Sequence, residues 1–369
     1  MPVIQSREIG IALDMRGCPN RCRHCSLGSH PNGNMTEDDL RWAVAQFRDY
    51  IQQEKPFIES LKVSSWMREP DFSDDYERLA ELEAELGNGK PNRYELLSIW
   101  RLARDEKYAE WAKKVGPDTC QISFFGMEET NDWFYRRRGA FQDCIKATER
   151  LLDVGMKPRW QLFLTKKIIP ELGDLLNLIE QLKIKERMQG EFVLFMHPPG
   201  LEGEGMKIAH LSATLEDTKL IPDDITESTK KHFGKDKVWV TEAESVSEFL
   251  YSESGLAPAY PYPSPMLYFF IISNWDVYSN MGTLQPWWKL GNLKKDSVQT
   301  IFDNFESDRI PALRANYSVT IRKLAQRYGD PNSQAVVNSV EAKWLADYCE
   351  EVLRGSAGMQ VHQTGRSRP

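Results

Sequence analysis

Residues 11–28 read IALDMRGCPNRCRHCSLG, a short apolar segment that runs directly into three closely spaced cysteines. The segment Ile11–Arg16 has the composition of a buried β-strand, and Cys18, Cys22 and Cys25 follow on its loop with the spacing C-x3-C-x2-C. Cysteine thiolates hold iron–sulfur clusters. Three of them can hold three corners of a four-iron cube and leave one iron without a protein ligand. Such an open position is where metal chemistry takes place.

Structural zinc is the main alternative to a cluster at this loop. Structural zinc takes a closed tetrahedral set of four ligands. His24 lies between two of the cysteines and would strain to reach the same metal, and no second Cys-x-x-Cys follows downstream. Three ordinary free thiols are a further alternative, which the tight spacing disfavours. The pattern therefore favours an iron–sulfur cluster.

Strand-like and helix-like segments alternate over the first 200 residues. Six runs rich in β-branched and aromatic residues predict strands at Ile11–Arg16, Ile58–Ser65, Tyr94–Trp100, Cys120–Phe125, Lys157–Leu164 and Glu191–Met196. Helical patterns lie between them, for example over Phe141–Gly155 and Glu171–Leu182. This alternation predicts parallel strands joined by crossover helices, in an open barrel or a doubly wound sheet. Active sites of such folds lie at the carboxyl ends of the strands.

Composition excludes several classes of protein. The 369 residues carry a formal net charge of −7 without a basic stripe, which disfavours nucleic-acid binding. The sequence has no run of about 18 apolar residues that could span a membrane, and its first residues lack a signal region. Six cysteines in a chain of this length fit a reducing compartment better than a disulfide scaffold. We therefore expect a cytoplasmic protein without nucleic-acid or membrane partners.

Roughly residues 8–200 resemble the radical S-adenosylmethionine (SAM) superfamily, first through Cys18, Cys22 and Cys25. The resemblance implies an α/β fold with a partial (β/α)6 TIM-like barrel. It also implies a [4Fe–4S] cluster whose open iron chelates SAM, and a 5′-deoxyadenosyl radical that abstracts hydrogen from the substrate. A flavodoxin or ferredoxin-type protein is the implied reductant. His24 stands where the family usually has a larger aromatic near the SAM adenine, and its flat ring can still pack there.

The segment Ser64–Pro70 (SSWMREP) resembles a second family motif, Gly-Gly-Glu-Pro, which contacts the SAM amino group. The Glu-Pro pair is kept, while Met67 and Arg68 replace the glycines. The resemblance assigns Glu69, with its neighbour Arg68, to cofactor binding, and a carboxylate suits an ammonium partner. A solvated acidic residue at a helix start is the alternative for Glu69.

The segment after the fourth predicted strand resembles the family region that contacts the SAM ribose and carboxylate. Ser123 matches the ribose-contacting serine, and Arg137 is our choice among three consecutive arginines because a guanidinium fork suits a carboxylate. The other two arginines are expected on a solvated surface. Gln161 and His197, on the fifth strand and at the end of the sixth, are candidates for catalysis or substrate contact. A satisfied polar residue at a turn is the alternative for His197.

The sequence after residue 200 has a different pattern. A strand is predicted at Leu267–Ser273 with a hairpin partner at Asp276–Ser279, and Asn274–Leu293 resembles the hairpin-and-helix extension of SPASM or twitch proteins. Ser279 stands where a cysteine would be expected, so the resemblance implies a cap without an auxiliary cluster. We expect three parts: a radical SAM core over 1–200, a small α+β capping extension over 201–354 and a flexible tail over 355–369.

Three functions remain open. The first is a radical SAM enzyme that acts on a small metabolite or natural-product intermediate. The second is a maturase that modifies a ribosomally made peptide, and the third is a non-catalytic zinc or iron–sulfur protein. Only 17 residues precede Cys18, which leaves no peptide-recognition domain there and favours a small molecule. The segments around Glu69 and Ser123 disfavour the third function, because a structural metal site does not need them.

Overall fold

The computed structural model describes residues 8–28, 30–52, 55–56, 58–88, 93, 95–259, 267–280, 283–307 and 309–363. Its strands are β1 (Glu8–Leu13), β2 (Ile51–Gln52), β3 (Lys55–Pro56), β4 (Ser60–Ser64), β5 (Thr119–Phe124), β6 (Lys157–Phe163), β7 (Val193–His197), β8 (Leu267–Ile271), β9 (Asp276–Ser279) and β10 (Gly291–Asn292).

The α-helices alternate with the strands through the first half of the chain and dominate the second half. They are α1 (Glu37–Arg48), α2 (Tyr76–Leu86), α3 (Ile99–Arg104), α4 (Tyr108–Val115), α5 (Glu128–Tyr135), α6 (Ala140–Asp153), α7 (Leu172–Gln181), α8 (Ile184–Arg187), α9 (Asp223–Phe233), α10 (Glu242–Tyr251), α11 (Val298–Glu306), α12 (Pro311–Ser318), α13 (Ile321–Tyr328) and α14 (Val340–Gln363). Among the described helices, none is both long enough and apolar enough to cross a membrane.

Parallel strands form two sheets and confirm the predicted α/β class. β5, β6 and β7 lie side by side in chain order. In the second sheet β4, β1 and β8 are parallel neighbours, and the antiparallel β9 and β10 extend it. The carboxyl ends of β1, β4, β5, β6 and β7 carry the predicted site residues. Each sheet therefore gathers its site residues at the carboxyl ends of its parallel strands.

The predicted strand at Tyr94–Trp100 is wrong. Tyr94 lies outside the described residues, residues 95–98 form a turn and an extended coil, and α3 begins at Ile99. The Ser98 hydroxyl accepts a hydrogen bond from the Arg101 N–H at 3.1 Å, which is the N-cap of α3. The coil still lies beside β5, because the Gln121 N–H donates to the Glu95 carbonyl at 2.9 Å. A serine that caps a helix explains why an apolar run does not continue as a strand.

The outer face of β1 is part of a large core. Ile9, Ile11 and Leu13 are fully buried, and they belong to the same cluster as the aromatic rings of α1, β8 and α11. The rings of Phe47 and Phe269 lie 5.2 Å apart. A strand buried among helices reads as a continuous apolar run, which is why this segment was recognisable in the sequence.

The predicted hairpin after residue 265 is confirmed as β8 and β9. β8 pairs in parallel with β1, with Ile9 opposite Leu267, so a late segment completes the N-terminal sheet. At Gly10, a Cβ atom would lie 2.1 Å from the Tyr268 ring, so glycine is required where that ring crosses β1. At the other end of the chain, α14 includes residues 355–363 of the segment predicted as a tail, and residues 364–369 lie outside the described ones.

Candidate active site

The loop that carries the cysteines is held by a side chain from its own far end. The Asn32 carboxamide accepts from the Cys18 N–H at 3.2 Å and donates to the Cys18 carbonyl at 3.1 Å. Its oxygen also accepts from the Arg21 guanidinium at 3.0 Å. Gly17 turns the chain with φ +84°, and a Cβ there would lie 2.3 Å from the same Asn32 oxygen. Contacts within the protein therefore fix the shape of the cysteine loop.

The three thiols of this loop form the donor set for a cofactor. Burial raises the pKa of Cys18, Cys22 and Cys25, and negative charge on Glu69 raises the pKa of Cys18 and Cys22 further. Thiols of this kind lose their protons when a metal supplies compensating charge. Among the described residues, no group of three or more His, Cys, Asp and Glu side chains is placed so that it could hold a single metal ion. Three thiols without a fourth ligand fit a cluster with one open iron, since a cube places its ligands at separate corners.

His24 lies in an aromatic layer beside the loop. Its ring centroid is 4.5 Å from that of Phe125 and 4.7 Å from that of Phe163. Its Nδ1 atom is buried without a hydrogen-bond partner. Burial, reinforced by the nearby His197, lowers the pKa of His24 to about 3, so the imidazole is neutral. The placement among aromatic rings does not support His24 as a fourth zinc ligand.

Glu69 lies against the cysteine loop and not on the solvated surface. Its carboxylate accepts a hydrogen bond from the Ser98 hydroxyl at 2.7 Å, and the Cys18 sulfur lies 3.9 Å from its other oxygen. Burial raises the pKa of Glu69 to about 7, while the bond from Ser98 and the charge of Arg137 act in the opposite direction. No helix starts at Glu69, because α2 begins at Tyr76. Ser98 was missed in the sequence because its segment read as a strand.

A buried ionic network supports the segment around Glu69. The Arg93 guanidinium pairs with the carboxylates of Asp71 and Glu83, each at 2.8 Å, and all three side chains are buried. Glu83 also accepts from the Ser65 N–H and hydroxyl at 2.8 and 2.6 Å, and the Tyr108 hydroxyl donates to Asp71 at 2.6 Å. The network thus holds both ends of the segment 65–71. Nothing in the sequence distinguishes these charges from surface ones.

Arg68 holds the cysteine loop instead of pointing to open space. Its guanidinium contacts the Asp14 carboxylate at 2.6 Å and donates to the carbonyls of His30 and Pro31 at 2.7 and 3.1 Å. The side chains of Arg68 and Asp14 are only 4% and 1% exposed. The contacts that the structure describes for this guanidinium are all with the protein. The sequence alone could not predict the pairing of Arg68 with Asp14, because the two residues lie 54 positions apart.

Replacing Arg68 with methionine should destabilise the protein without its cofactors by about 3 kcal/mol or more, because it leaves Asp14 buried and unpaired. The double variant Asp14→Leu/Arg68→Met should recover part of that loss. The free energy of unfolding in urea measures both. Arg78→Met is the matched control, since Arg78 is 37% exposed and its ion pairs are superficial. Equal losses for Arg68→Met and Arg78→Met would contradict the assignment.

Arg137 is the arginine of its run that reaches the cysteine loop through Asn20. Its Nε donates to the Asn20 side chain at 2.6 Å, and its Nη1 pairs with Asp143 at 2.7 Å. Arg136 and Arg138 are exposed. Arg136 ends α5 with the left-handed φ of +51°, which turns the chain between two helices. The structure therefore separates Arg137, which contacts the cysteine loop, from Arg136 and Arg138, which are exposed. The sequence could not separate them.

A chain of polar side chains crosses the carboxyl ends of β5, β6 and β7. The Gln161 oxygen accepts from the Ser123 hydroxyl at 3.0 Å and from the Gln121 amide at 2.6 Å. The Gln161 amide nitrogen must therefore donate, and its partner is the Nε2 atom of His197. The other ring nitrogen of His197 donates to the Pro198 carbonyl at 2.7 Å. These partners assign a neutral His197 with its proton on Nδ1, in agreement with a pKa lowered mainly by burial.

Gln161 and His197, the two residues predicted as catalytic candidates, use their polar groups within this row of side chains. Both ring nitrogens of His197 and both ends of the Gln161 amide have partners within the protein. The Ser123 hydroxyl donates to Gln161, which leaves its oxygen able to accept from a ligand hydroxyl. Gln161 and His197 are thus arranged to orient Ser123.

The variant Gln161→Leu should weaken SAM binding about 3- to 10-fold, because it removes the partner that orients the Ser123 hydroxyl. Iron loading should be unchanged. Equilibrium dialysis of reconstituted protein against labelled SAM measures the effect. The control is Gln181→Leu, since Gln181 is an exposed glutamine at the end of α7. A SAM affinity equal to that of the control would show that Gln161 does not support SAM binding.

A cavity of about 590 Å³ opens beside the cysteine loop. Ser26 and Leu27, which follow Cys25 directly, line one side, while Phe270 of β8 and Trp287 lie on other walls. Further walls come from residues 202–207, from the segment 280–288 and from α14. The Glu204 N–H donates to the Cys25 carbonyl at 3.0 Å, which ties the segment 202–207 to the loop. The cavity therefore lies between the cysteines and the C-terminal half of the chain.

The parallel strands and the segments that follow them carry a three-cysteine loop, a carboxylate, an arginine and a serine. Such a set of side chains suits a metal cluster and a polar organic cofactor. Residues 13–168 match the family described as the Radical SAM superfamily. The three cysteines, Glu69, Ser123 and Arg137 all lie within this match. This part of the chain is a radical SAM domain. Enzymes of this family use a [4Fe–4S] cluster and SAM.

Individual proteins of known name or structure share less than 30% identity with the chain. The chain is 27% identical over 127 residues to the Fe-coproporphyrin III synthase of Methanosarcina barkeri. That match covers 34% of the chain and 30% of the relative. The structure of anSMEcpe with bound AdoMet and the Cp18Cys peptide is 14% identical with a TM-score of 0.48, covering 95% of this chain and 99% of that one. Streptococcus suis SuiB bound to the precursor peptide SuiA is 15% identical with a TM-score of 0.42, covering 86% and 68%. Similarities of this size do not assign a substrate.

Proposed function

We propose that the protein reductively cleaves SAM at a single [4Fe–4S] cluster and abstracts hydrogen from a small metabolite or natural-product intermediate in the cytoplasm. The observation that carries the proposal is that Glu69 and Arg137, from two separate segments, contact the loop of Cys18, Cys22 and Cys25, while Gln161 orients Ser123 near the carboxyl end of β5. When bound, the cluster supplies the electron that cleaves SAM to a 5′-deoxyadenosyl radical. The protein binds, orients and shields the reactants.

The roles of the residues follow from their chemistry. Cys18, Cys22 and Cys25 would hold three irons and leave the fourth for SAM. Glu69 would accept from the SAM ammonium, and Arg137 would approach the SAM carboxylate. The Ser123 oxygen would accept from a ribose hydroxyl, and the ring of His24 would pack against the adenine. We assign Arg68, Gln161 and His197 to positioning, because their polar groups are engaged by the protein.

The substrate, in this proposal, occupies the cavity beside Leu27. Its volume of about 590 Å³ lies within the usual range for sites that enclose small molecules. Trp287 and Phe270 offer apolar and aromatic surface, while Glu202 and Lys207 offer polar contacts. Residues 201–354 would then act as the cap that closes the barrel around the substrate. A cavity of this volume fits a small molecule, which supports a small molecule over a ribosomally made peptide as the substrate.

Anaerobic assay of 5′-deoxyadenosine tests the proposal. The protein is reconstituted with iron and sulfide, reduced with dithionite and supplied with SAM. We expect iron to load in cluster stoichiometry and deoxyadenosine to form, and deuterium transfer from candidate small molecules would then identify the substrate. Zinc in place of iron, or a loaded cluster that never cleaves SAM, would contradict the proposal. Deuterium transfer from a peptide alone would support the maturase alternative.

A further inference from the structure

A basic surface covers the outside of the cysteine loop. We name it the Trp133 patch, and it consists of Arg23, Trp133, Arg136, Arg138 and Lys167. Arg23 lies between Cys22 and Cys25 in the chain, and its guanidinium stacks over the Trp133 ring at 4.0 Å from the centroid. The ammonium of Lys167 lies 4.9 Å from the same centroid. Two cations therefore share one indole ring next to the cluster-binding segment.

The patch is attached firmly to the loop. The Arg23 N–H donates to the Phe134 carbonyl at 2.8 Å, and its side chain donates to the Trp133 carbonyl at 3.0 Å. The Arg21 N–H donates to the Tyr135 carbonyl at 3.2 Å. The end of α5 is thus bonded to the backbone between the cysteines. A partner that contacts Trp133 lies against the same segment that carries the three cysteines.

The charge of the patch is only partly neutralised by its neighbours. Exposed Glu128 and Glu129 lie at the start of α5, in the groove that the patch lines. The Asp132 carboxylate, in contrast, accepts from the N–H groups of Gly139 and Phe141 at 2.5 and 2.9 Å, which uses its charge at the start of α6. Glu204 is shared between Arg136 and Lys207. The four exposed or half-buried cations of the patch therefore face two exposed carboxylates and a share of the Glu204 charge, on a chain whose formal net charge is −7.

We propose that the Trp133 patch is the docking surface for a small acidic electron-transfer protein that reduces the cluster. This rests on the proposed function, because only a redox cluster needs such a donor. In each encounter the donor loses one electron and the cluster gains it, with no bond made or broken. A transient redox partner needs a small contact area and fast association, and opposite charges supply the association rate. The Trp133 patch offers a small contact surface and positive charge, and it lies beside the cysteine loop.

The experiment follows cluster reduction by stopped-flow absorbance, with reduced flavodoxin as the probe. The test variant is Arg138→Glu/Lys167→Glu, whose side chains are exposed and hold no part of the loop. The matched control is Lys114→Glu/Lys185→Glu, which makes the same change of charge at α4 and α8, near the amino ends of β5 and β7. Each protein is also reduced with dithionite. Dithionite reduction and iron content report on the cluster independently of docking.

For the wild type, we expect the second-order rate of reduction by flavodoxin to fall as ionic strength rises. At low salt the test variant should be reduced about tenfold more slowly than the control, with a weaker dependence on salt. Both variants should be reduced by dithionite at the wild-type rate. Equal rates with flavodoxin for the test variant and control would overturn the docking surface while leaving the proposed function intact. An equal loss with dithionite would also overturn it, because the defect would then lie in the cluster.

Discussion

The variant Cys18→Ala should lose its cluster and, with it, the formation of 5′-deoxyadenosine. Changes outside the ligand shell of metal sites already cost about 10- to 100-fold, so removal of one of three ligands should lower the rate by more than about 100-fold. The loop itself should keep its shape, because the two hydrogen bonds between Asn32 and Cys18 involve the backbone of Cys18 and not its thiol. Iron content, the visible absorbance of the cluster and the deoxyadenosine yield measure the effect together.

Cys349→Ala is the control for this result. Cys349 is a buried thiol of α14, and burial raises its pKa to about 12, so it is protonated at neutral pH. Its removal should leave iron content and deoxyadenosine formation at the wild-type level. If Cys18→Ala kept its full iron and activity, the three-cysteine site would be wrong. If both variants lost iron equally, the loss would reflect general instability.

The variant Glu69→Gln should bind SAM about 10- to 100-fold more weakly, which corresponds to the loss of one charge-assisted hydrogen bond. The amide keeps the size of the carboxylate and can still accept from the Ser98 hydroxyl, 2.7 Å away in the wild type. The segment 65–71 should therefore keep its shape, and iron loading should not change. Binding of labelled SAM to the reconstituted protein, with iron measured on the same sample, gives both quantities.

Glu81→Gln is the matched control, because Glu81 is a 69% exposed carboxylate on α2. It removes the same charge from the chain without a contact near Cys18. SAM affinity in this variant should equal that of the wild type. An unchanged affinity in Glu69→Gln would remove Glu69 from the SAM site, and a loss of iron would make it a support for the cluster loop instead.

Much of the fold was predictable because its signals are local. β1, β5, β6 and β7 are apolar runs close to their predicted positions, since strands buried by helices show little polar alternation. The hairpin of β8 and β9 was predictable for the same reason. The segment at residues 95–98 was not, because Ser98 caps a helix and its neighbours have strand-like composition. The pairing of β8 with β1 was also beyond prediction, since it joins residues more than 250 positions apart.

The sequence by itself determined the chemistry of this protein: three thiols at a fixed spacing, and a Glu-Pro pair, a serine and arginines in the order of the family. Only the tertiary structure decided which polar groups are available to ligands. Arg68 pairs with Asp14, Gln161 and His197 orient Ser123, and Arg137 reaches the cysteine loop through Asn20. The physical reason is that each donor can satisfy only a few partners. Whether a polar group serves the fold or a ligand therefore depends on contacts between distant segments, which spacing along the chain does not encode.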